Sequence, residues 1–254
     1  MPDPSFYLRE FFHLNFLRHL SNRLSGRVYA VKGGICLRFF HRSPRLSDDM
    51  DMDILSQVRG DTLKNAVDSV LESKPFLAAL VSQNIVHIES KGSKQTETTQ
   101  RWKIGIRLSD GNSLQSKVEF SRRAQSIDYA SGIPDAKILN QYGMSPFAAQ
   151  FYGSIGMTAQ KIRALAAESR NAARDLFDLH HLFSFCAVKP VDVANLVTTQ
   201  ELERAAQKVG SFTYQDFKKQ VVGYLTDDLQ SLYNDSQAFE KLKGEVETAL
   251  IRRQ

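Results

Sequence analysis

Residues 27–54 read RVYAVKGGICLRFFHRSPRLSDDMDMDI, and this stretch decides the fold class. Residues 27–32 predict a strand, two glycines follow, and residues 35–40 fit a short helix. From residue 49 the letters alternate Asp, Met, Asp, Met, Asp, Ile, which is the period-2 pattern of a strand over residues 49–55. A strand, a tight turn, a helix and an acidic strand therefore follow one another in a short span.

The acidic strand suggests a cation site. Side chains alternate between the faces of a strand, so Asp49, Asp51 and Asp53 point the same way, at a spacing of roughly 6–7 Å. Like charges at that spacing repel one another. Mg²⁺ is typically held by one or two carboxylates together with substrate phosphates, so the pattern favours Mg²⁺ here. A solvated face of an edge strand is the alternative.

A phosphate site and a third carboxylate are predicted beside this strand. Gly33 and Gly34 follow a strand and open a helix, where backbone N–H groups can approach phosphate oxygens. Within residues 114–120, Glu119 alternates with Val118 and Phe120, so it lies on the opposite face from them. A plain strand-to-helix turn and an ordinary exposed glutamate are the alternatives.

The rest of the chain predicts an α+β mixed sheet followed by helices. Gly132, Pro134 and Gly143 mark residues 122–144 as a connector. The other elements before it are helices over 5–24 and 61–82 and strands over 85–90, 102–108 and 114–120. Helices are predicted after it over 145–152, 157–169, 172–186, 190–196, 199–209, 213–224 and 236–252. We therefore predict a mixed-sheet domain over 1–144 and a helical domain over 145–254.

Composition narrows the class of protein. The 254 residues are 42% hydrophobic, enough for a substantial core. No apolar run suits a transmembrane helix and the N-terminus lacks a signal-peptide pattern, so we expect a cytoplasmic protein without a membrane span. Two cysteines, Cys36 and Cys186, are too few for a disulfide framework or a zinc site. Residues 1–144 hold 20 Lys and Arg against 15 Asp and Glu, which suits an anionic partner.

Two blocks of the sequence resemble the AbiEii-type nucleotidyltransferases, toxins of bacterial toxin–antitoxin and phage-defence systems. The resemblance covers roughly residues 27–185. The first block is the glycine turn with RLSDDMD, and it supplies Gly33, Gly34, Arg45, Ser47, Asp49 and Asp51. The second block is KIRALAAESRNAARDLFDL, and it supplies Lys161, Arg170, Arg174, Asp175 and Asp178. KVEFSRR, with Glu119 and Arg122, fits the segment between them. Asp53 is an additional aspartate, and Ile35 stands where many relatives have Ser or Thr.

The resemblance implies a polymerase-β-like nucleotidyltransferase fold with a C-terminal helical domain, NTP as the donor and a cognate antitoxin. In some relatives the acceptor is the 3′ end of tRNA. The implied catalytic residues are Asp49, Asp51, Lys161 and Asp175. The implied NTP-binding residues are Gly33, Gly34, Arg45, Ser47 and Lys161. The implied Mg²⁺ ligands are Asp49, Asp51 and Glu119.

Lys161 and Asp175 also have structural interpretations. Lys161 could present its ammonium to the triphosphate or be a solvated helix lysine. Asp175 could orient Lys161 or a water, act as a base, or join a network between two helices; Asp178 is interpreted as structural.

The sequence leaves the acceptor open. An RNA 3′ end is favoured because basic residues flank the acidic strand. They are Arg38, Arg42, Arg45, Lys91, Lys94 and Arg101. The alternatives are a nucleotidyltransferase that modifies a small molecule or a protein, and a non-catalytic binding module on the same scaffold.

Overall fold

The structure, a computed structural model, describes residues 3–123 and 128–251. The strands are β1 (Tyr29–Lys32), β2 (Asp49–Ile54), β3 (Ile85–Gln95), β4 (Thr99–Leu108), β5 (Ser113–Ser121), β6 (Tyr129–Gly132) and β7 (Ala149–Tyr152). The helices are α1 (Pro4–Ser21), α2 (Gly33–Phe40), α3 (Gly60–Leu71), α4 (Lys74–Val81), α5 (Ala136–Gln141), α6 (Ser154–Ala166), α7 (Ala173–Ser184), α8 (Thr199–Ser211), α9 (Tyr214–Gln220), α10 (Asp227–Leu232) and α11 (Ser236–Ile251). Short 3-10 turns cover Pro190–Val193 and Val222–Tyr224.

The strands form a mixed sheet in the order β3-β4-β5-β2-β1-β7-β6. The acidic strand β2 lies at the centre, antiparallel to β1 and parallel to β5. Met50 and Met52 are fully buried on one face of β2, as the alternation predicts. The prediction of an α+β mixed sheet is confirmed.

Three predicted helices are not found as such, and in place of the one over 190–196 there is only a 3-10 turn, Pro190–Val193. The predicted helix over 61–82 is two helices: α3 ends at Leu71, Ser73 is extended, and Pro75 lies in the first turn of α4, where proline is tolerated. The predicted helix over 145–152 contains strand β7 instead, which pairs in parallel with β1 at Val31 and Phe151. β7 has four residues, too few for periodicity to separate a strand from a helix.

The predicted connector over 122–144 also holds structure, namely β6 and α5; its residues 124–127 lie outside the described residues. β6 pairs with β7 in an antiparallel manner. The sheet therefore extends past residue 144, since its strand beside β1 comes from residues 149–152.

The helices that follow β7 pack mainly against one another, and one of them, α7, carries buried charged residues. α6 packs against α7 and α8, and α11 packs against the same two helices. Leu176, Leu179 and Leu182 of α7 are fully buried, and so are Asp175 and Asp178. Across residues 3–123 and 128–251, no helix is long and apolar enough to span a bilayer.

Candidate active site

Charged side chains share one face of four neighbouring strands. Residues directly opposite each other across a strand pair point to the same side of the sheet. The first row crosses from β2 to β3 through Asp49, Lys117, Lys103 and Lys91. The second row crosses through Asp51, Glu119, Arg101 and Lys94. Both rows begin at an aspartate on β2 and end at a lysine on the edge strand, and we call them together the charged face.

Asp49 and Asp51 share a cation that the sequence analysis missed. The Lys117 ammonium nitrogen lies 3.2 Å from Asp49 Oδ2 and 3.8 Å from Asp51 Oδ1. The pKa of Asp51 is raised, chiefly by its partial burial and further by the charges of Asp49 and Glu119, although Lys117 opposes this. The carboxylate pair is therefore held together against its own repulsion by a lysine from the adjacent strand.

The other two carboxylates of this region have partners of their own. Asp53 is buried; its Oδ1 lies 2.5 Å from the Lys32 ammonium and its Oδ2 accepts a hydrogen bond of 2.8 Å from the Tyr152 hydroxyl. Glu119 accepts from the Arg101 guanidinium. Asp53 is thus a structural anchor between β1, β2 and β7, and Glu119 is paired rather than open.

Asp49 and Asp51 are the two accessible carboxylates of this region that could hold a divalent cation. Among the described residues, no group of three or more His, Cys, Asp and Glu side chains is arranged to hold a metal ion. Glu119 is paired with Arg101, so its predicted role as a third ligand stays a prediction. Asp49 and Asp51 still suit Mg²⁺, which is commonly bound by one or two carboxylates with phosphates and waters completing the shell. Their side chains are 42% and 34% exposed, so a ligand can reach them.

The glycine turn packs directly onto the acidic strand. Gly33 has a φ of 71°, which side-chain-bearing residues rarely adopt, and a Cβ there would lie 3.2 Å from Asp51 Oδ2. A Cβ on Gly34 would lie 2.8 Å from Ser47 Oγ and 2.9 Å from Arg45 Nη2. Lys32, the residue that precedes α2, makes no side-chain capping hydrogen bond, and the first N–H groups of a helix, which have no partner within the helix, are a common binding site for phosphate oxygens.

Replacing Gly34 by Ala tests this close approach. Its Cβ would press on Ser47 and on Arg45, which cannot retreat easily because its guanidinium is fixed by two hydrogen bonds. We expect the free energy of unfolding to fall by about 1–3 kcal/mol in urea denaturation, the usual cost of overpacking. Gly244→Ala in α11 is the matched control, because its Cβ meets nothing within 4 Å and should stabilise the helix by up to about 1 kcal/mol. Equal effects of the two substitutions would contradict the interpretation.

A buried network of ion pairs joins the glycine turn to the helical layer. Arg45 donates to both oxygens of Asp178, at 2.8 and 2.9 Å. The Lys161 ammonium lies 2.6 Å from Asp178 Oδ2 and 2.7 Å from Asp175 Oδ1. Arg170 donates to Asp175 Oδ2 at 2.6 Å. Three cations and two anions thus alternate from the segment before β2 to α6 and α7.

Pairing outweighs burial throughout this network. Burial alone would raise the pKa of Asp175 and Asp178, but their cationic partners hold the pKa of both carboxyls below its usual value. Burial alone would lower the pKa of Lys161, but Asp175 and Asp178 raise it. All three groups therefore stay ionised at neutral pH.

Lys161 and Arg45 are enclosed, whereas Arg170 reaches the surface. Lys161 and Arg45 are buried and bonded to aspartates, so the geometry gives both a positioning role; direct contact with NTP stays a prediction. The Arg170 side chain is 43% exposed, and its pKa is raised by its hydrogen bond to Asp175 and by the charge of Asp51. Arg170 is therefore the network's exposed cation near the acidic strand.

The prediction of a basic surface before β2 is wrong for two of the three arginines, because they pair with buried acidic residues instead. Arg38 donates to buried Glu10, and Arg45 is bound to Asp178 inside the protein. Arg42 is 71% exposed and pairs with Asp135. The sequence alone does not distinguish an arginine that pairs inside the protein from an exposed one, because the acidic partners are distant in the chain.

The chain matches one protein family by sequence and several solved structures by fold. The sequence profile of the family described as nucleotidyl transferase AbiEii toxin, type IV toxin–antitoxin system, matches residues 15–245. No curated protein matches the chain. Among solved structures, JHP933 from Helicobacter pylori has a TM-score of 0.59 and 16% identity, over 98% of this chain and 95% of its own. The nucleotidyltransferase toxin MenT4 from Mycobacterium tuberculosis has a TM-score of 0.59 and 14% identity, over 98% and 94%. At these sequence identities, the structural similarity shows a shared fold and nothing further.

Proposed function

This chain belongs to the AbiEii family of nucleotidyl transferase toxins of toxin–antitoxin systems, and we propose that it moves a nucleoside monophosphate from an NTP to the 3′ end of an RNA, tRNA above all, with Mg²⁺ at Asp49 and Asp51. The observation that carries the proposal is the contact between the glycine turn and the acidic strand. This contact supports the proposal because it brings the start of α2 close to Asp51, one of the two accessible carboxylates.

The donor would bind where the glycine turn, Ser47 and Arg170 surround the acidic pair. The N-terminus of α2 supplies N–H groups and a favourable dipole for phosphate oxygens. The Ser47 hydroxyl lies against Gly34 and donates a 3.3 Å hydrogen bond to the Asp49 carbonyl, which it could exchange for one to the triphosphate. The Arg170 guanidinium is the exposed cation and could also donate to the triphosphate. Mg²⁺ bound by Asp49 and Asp51 would draw charge from the phosphate oxygens and lower the barrier to transfer.

The buried network of ion pairs would hold the donor-binding residues in fixed positions. Asp178 fixes Arg45 beneath the glycine turn, and Asp175 fixes Arg170 at the surface. Lys161 bridges the two aspartates and keeps both from repelling each other. Such fixed geometry is what electrostatic stabilisation of a transition state requires, because dipoles and charges that are already oriented need no reorganisation.

The acceptor side would follow the basic end of the charged face. Lys91 and Lys94 are exposed on the edge strand β3, and they lie in the same rows as the acidic pair. An RNA backbone crossing these rows would meet lysines first and the carboxylates last. Phosphate contacts of this kind do not depend on base sequence and weaken as salt rises.

Labelled NTP added to purified tRNA tests the acceptor. We expect label on RNA, and we expect Lys91→Gln/Lys94→Gln to weaken RNA binding while nucleotide binding is kept. The slope of the logarithm of the binding constant against that of salt should fall by about one for each lysine lost. Lys218→Gln/Lys219→Gln on α9 removes the same charge elsewhere and should change little. Label found only on protein or on a small molecule would reject RNA as acceptor and keep the transferase.

A further inference from the structure

The Lys117 ammonium contacts both of the carboxylates to which the proposed function assigns a metal. Lys117 lies opposite Asp49 in the parallel β2–β5 register, so backbone pairing delivers it to the acidic pair. Its nitrogen is within 4 Å of both carboxylates, and its side chain is only 27% exposed. A divalent cation bound by Asp49 and Asp51 would stand within a few ångströms of this charge.

Lys117 is the cation on which the accessible carboxylates depend. Asp53 has Lys32, and Glu119 has Arg101. For Asp49 and Asp51, the salt bridges within the described residues are those to Lys117. Losing this lysine without a replacement would leave two carboxylates on one strand face repelling each other.

We propose that Lys117 is a built-in counter-ion that leaves Asp49 and Asp51 when a divalent cation binds, and that the triphosphate of the NTP is its new partner. This inference rests on the proposed function, because it requires metal and NTP at the same pair. An ammonium and a divalent cation repel each other, so they cannot share two carboxylates at these distances. Negatively charged phosphates beside the pair give the displaced ammonium a partner within reach of its flexible stem.

The displacement has an energetic consequence for both ligands. Metal binding alone must break two ion pairs of Lys117, so it is weakened; metal binding with NTP recovers them on the phosphates. The two ligands therefore favour each other, and because linkage is reciprocal each raises the affinity of the other by the same factor. Lys117 thus makes the site accept metal together with NTP in preference to metal alone.

Two titrations on the full chain test the proposal. The first measures Mn²⁺ binding without nucleotide, from the loss of the paramagnetic signal of free Mn²⁺. The second measures, at saturating Mn²⁺, the affinity for the α,β-methylene analogues of the four NTPs, each titrated alone. The variants are Lys117→Met, Lys117→Arg, which keeps a cation, and Lys103→Met as the matched control. Lys103 is exposed, lies opposite Lys117 on β4 and carries the same charge one strand farther from the acids.

We expect opposite signs in the two titrations. Lys117→Met should bind Mn²⁺ at least about fivefold more tightly than the parent and bind the analogues at least about fivefold more weakly, the lower end of typical coupling between sites. Lys103→Met and Lys117→Arg should stay close to the parent in both. Thermal melts with Mn²⁺ confirm that each variant is folded.

Other results overturn the proposal in distinguishable ways. Equal or weaker Mn²⁺ binding by Lys117→Met would show that Lys117 is no counter-ion, while label transfer by the parent would keep the proposed function. Tighter Mn²⁺ binding with unchanged analogue affinity would reject the triphosphate as the new partner. If neither the parent nor any variant binds Mn²⁺, the metal assignment and this inference both fall.

Discussion

Replacing Asp51 by Asn should abolish transfer of labelled nucleotide while the protein stays folded. Asn keeps the size of the side chain but removes the negative charge beside the glycine turn, where the metal and phosphates would meet. Losing one electrostatic group that meets developing charge costs on the order of a hundredfold to a thousandfold in rate. A metal ligand also fixes the donor, so we expect a loss at the upper end or beyond. Single-turnover labelling at saturating Mg²⁺ measures it.

Asp53→Asn is the matched control on the same strand face. Asp53 is bonded to Lys32 and Tyr152, so its loss should lower the stability of the fold more than the rate of the folded fraction. Near-normal labelling by Asp51→Asn, together with an inactive but folded Asp53→Asn, would show that Asp53 has the role that is assigned here to Asp51.

Asp178→Ala should destabilise the protein strongly. Asp178 is fully buried and accepts from both Arg45 and Lys161, so its removal leaves two buried cations facing a cavity. Removing one partner of a buried ion pair costs about 3–5 kcal/mol. That is a large part of the stability of a typical domain, about 5–15 kcal/mol. Urea denaturation followed by circular dichroism measures the loss.

Glu89→Ala provides the comparison for an exposed pair. Glu89 accepts from Arg107 on the surface of β3 and β4, and exposed pairs contribute about 0–1 kcal/mol. A loss below about 1 kcal/mol for Asp178→Ala, similar to that for Glu89→Ala, would mean that the network contributes little to holding the helical layer on the sheet.

Much of the fold follows from local patterns. Strict alternation over DMDMDI and the glycine pair predict β2, the turn and α2, because these signals depend on neighbouring residues only. β7 was missed because AQFY is short and gains its strand geometry from a partner, Val31, far away in the chain. Tertiary pairing therefore decides what local propensity leaves open.

The acidic residues of the candidate site could be predicted from the sequence, but the cations with which they pair were harder to predict. Alternation predicts on which face of its strand each of Asp49, Asp51 and Glu119 lies. It does not identify the residue that lies opposite on the next strand. Lys117 lies two residues before Glu119, so alternation puts both on one face, yet only the β2–β5 register shows that it meets Asp49. The Arg45–Asp178 pair likewise joins two motifs that the sequence shows as separate.

The parallel pairing of β1 with β7 sets the order in which a newly made chain can become active. On the ribosome the acidic strand emerges early, but the neighbour that β1 needs arrives only with Phe151, and the aspartates that fix Arg45 and Arg170 arrive later still. Contacts between such distant segments form slowly and late in folding. The residues of the candidate site therefore reach their final positions only after most of the polypeptide has been synthesised.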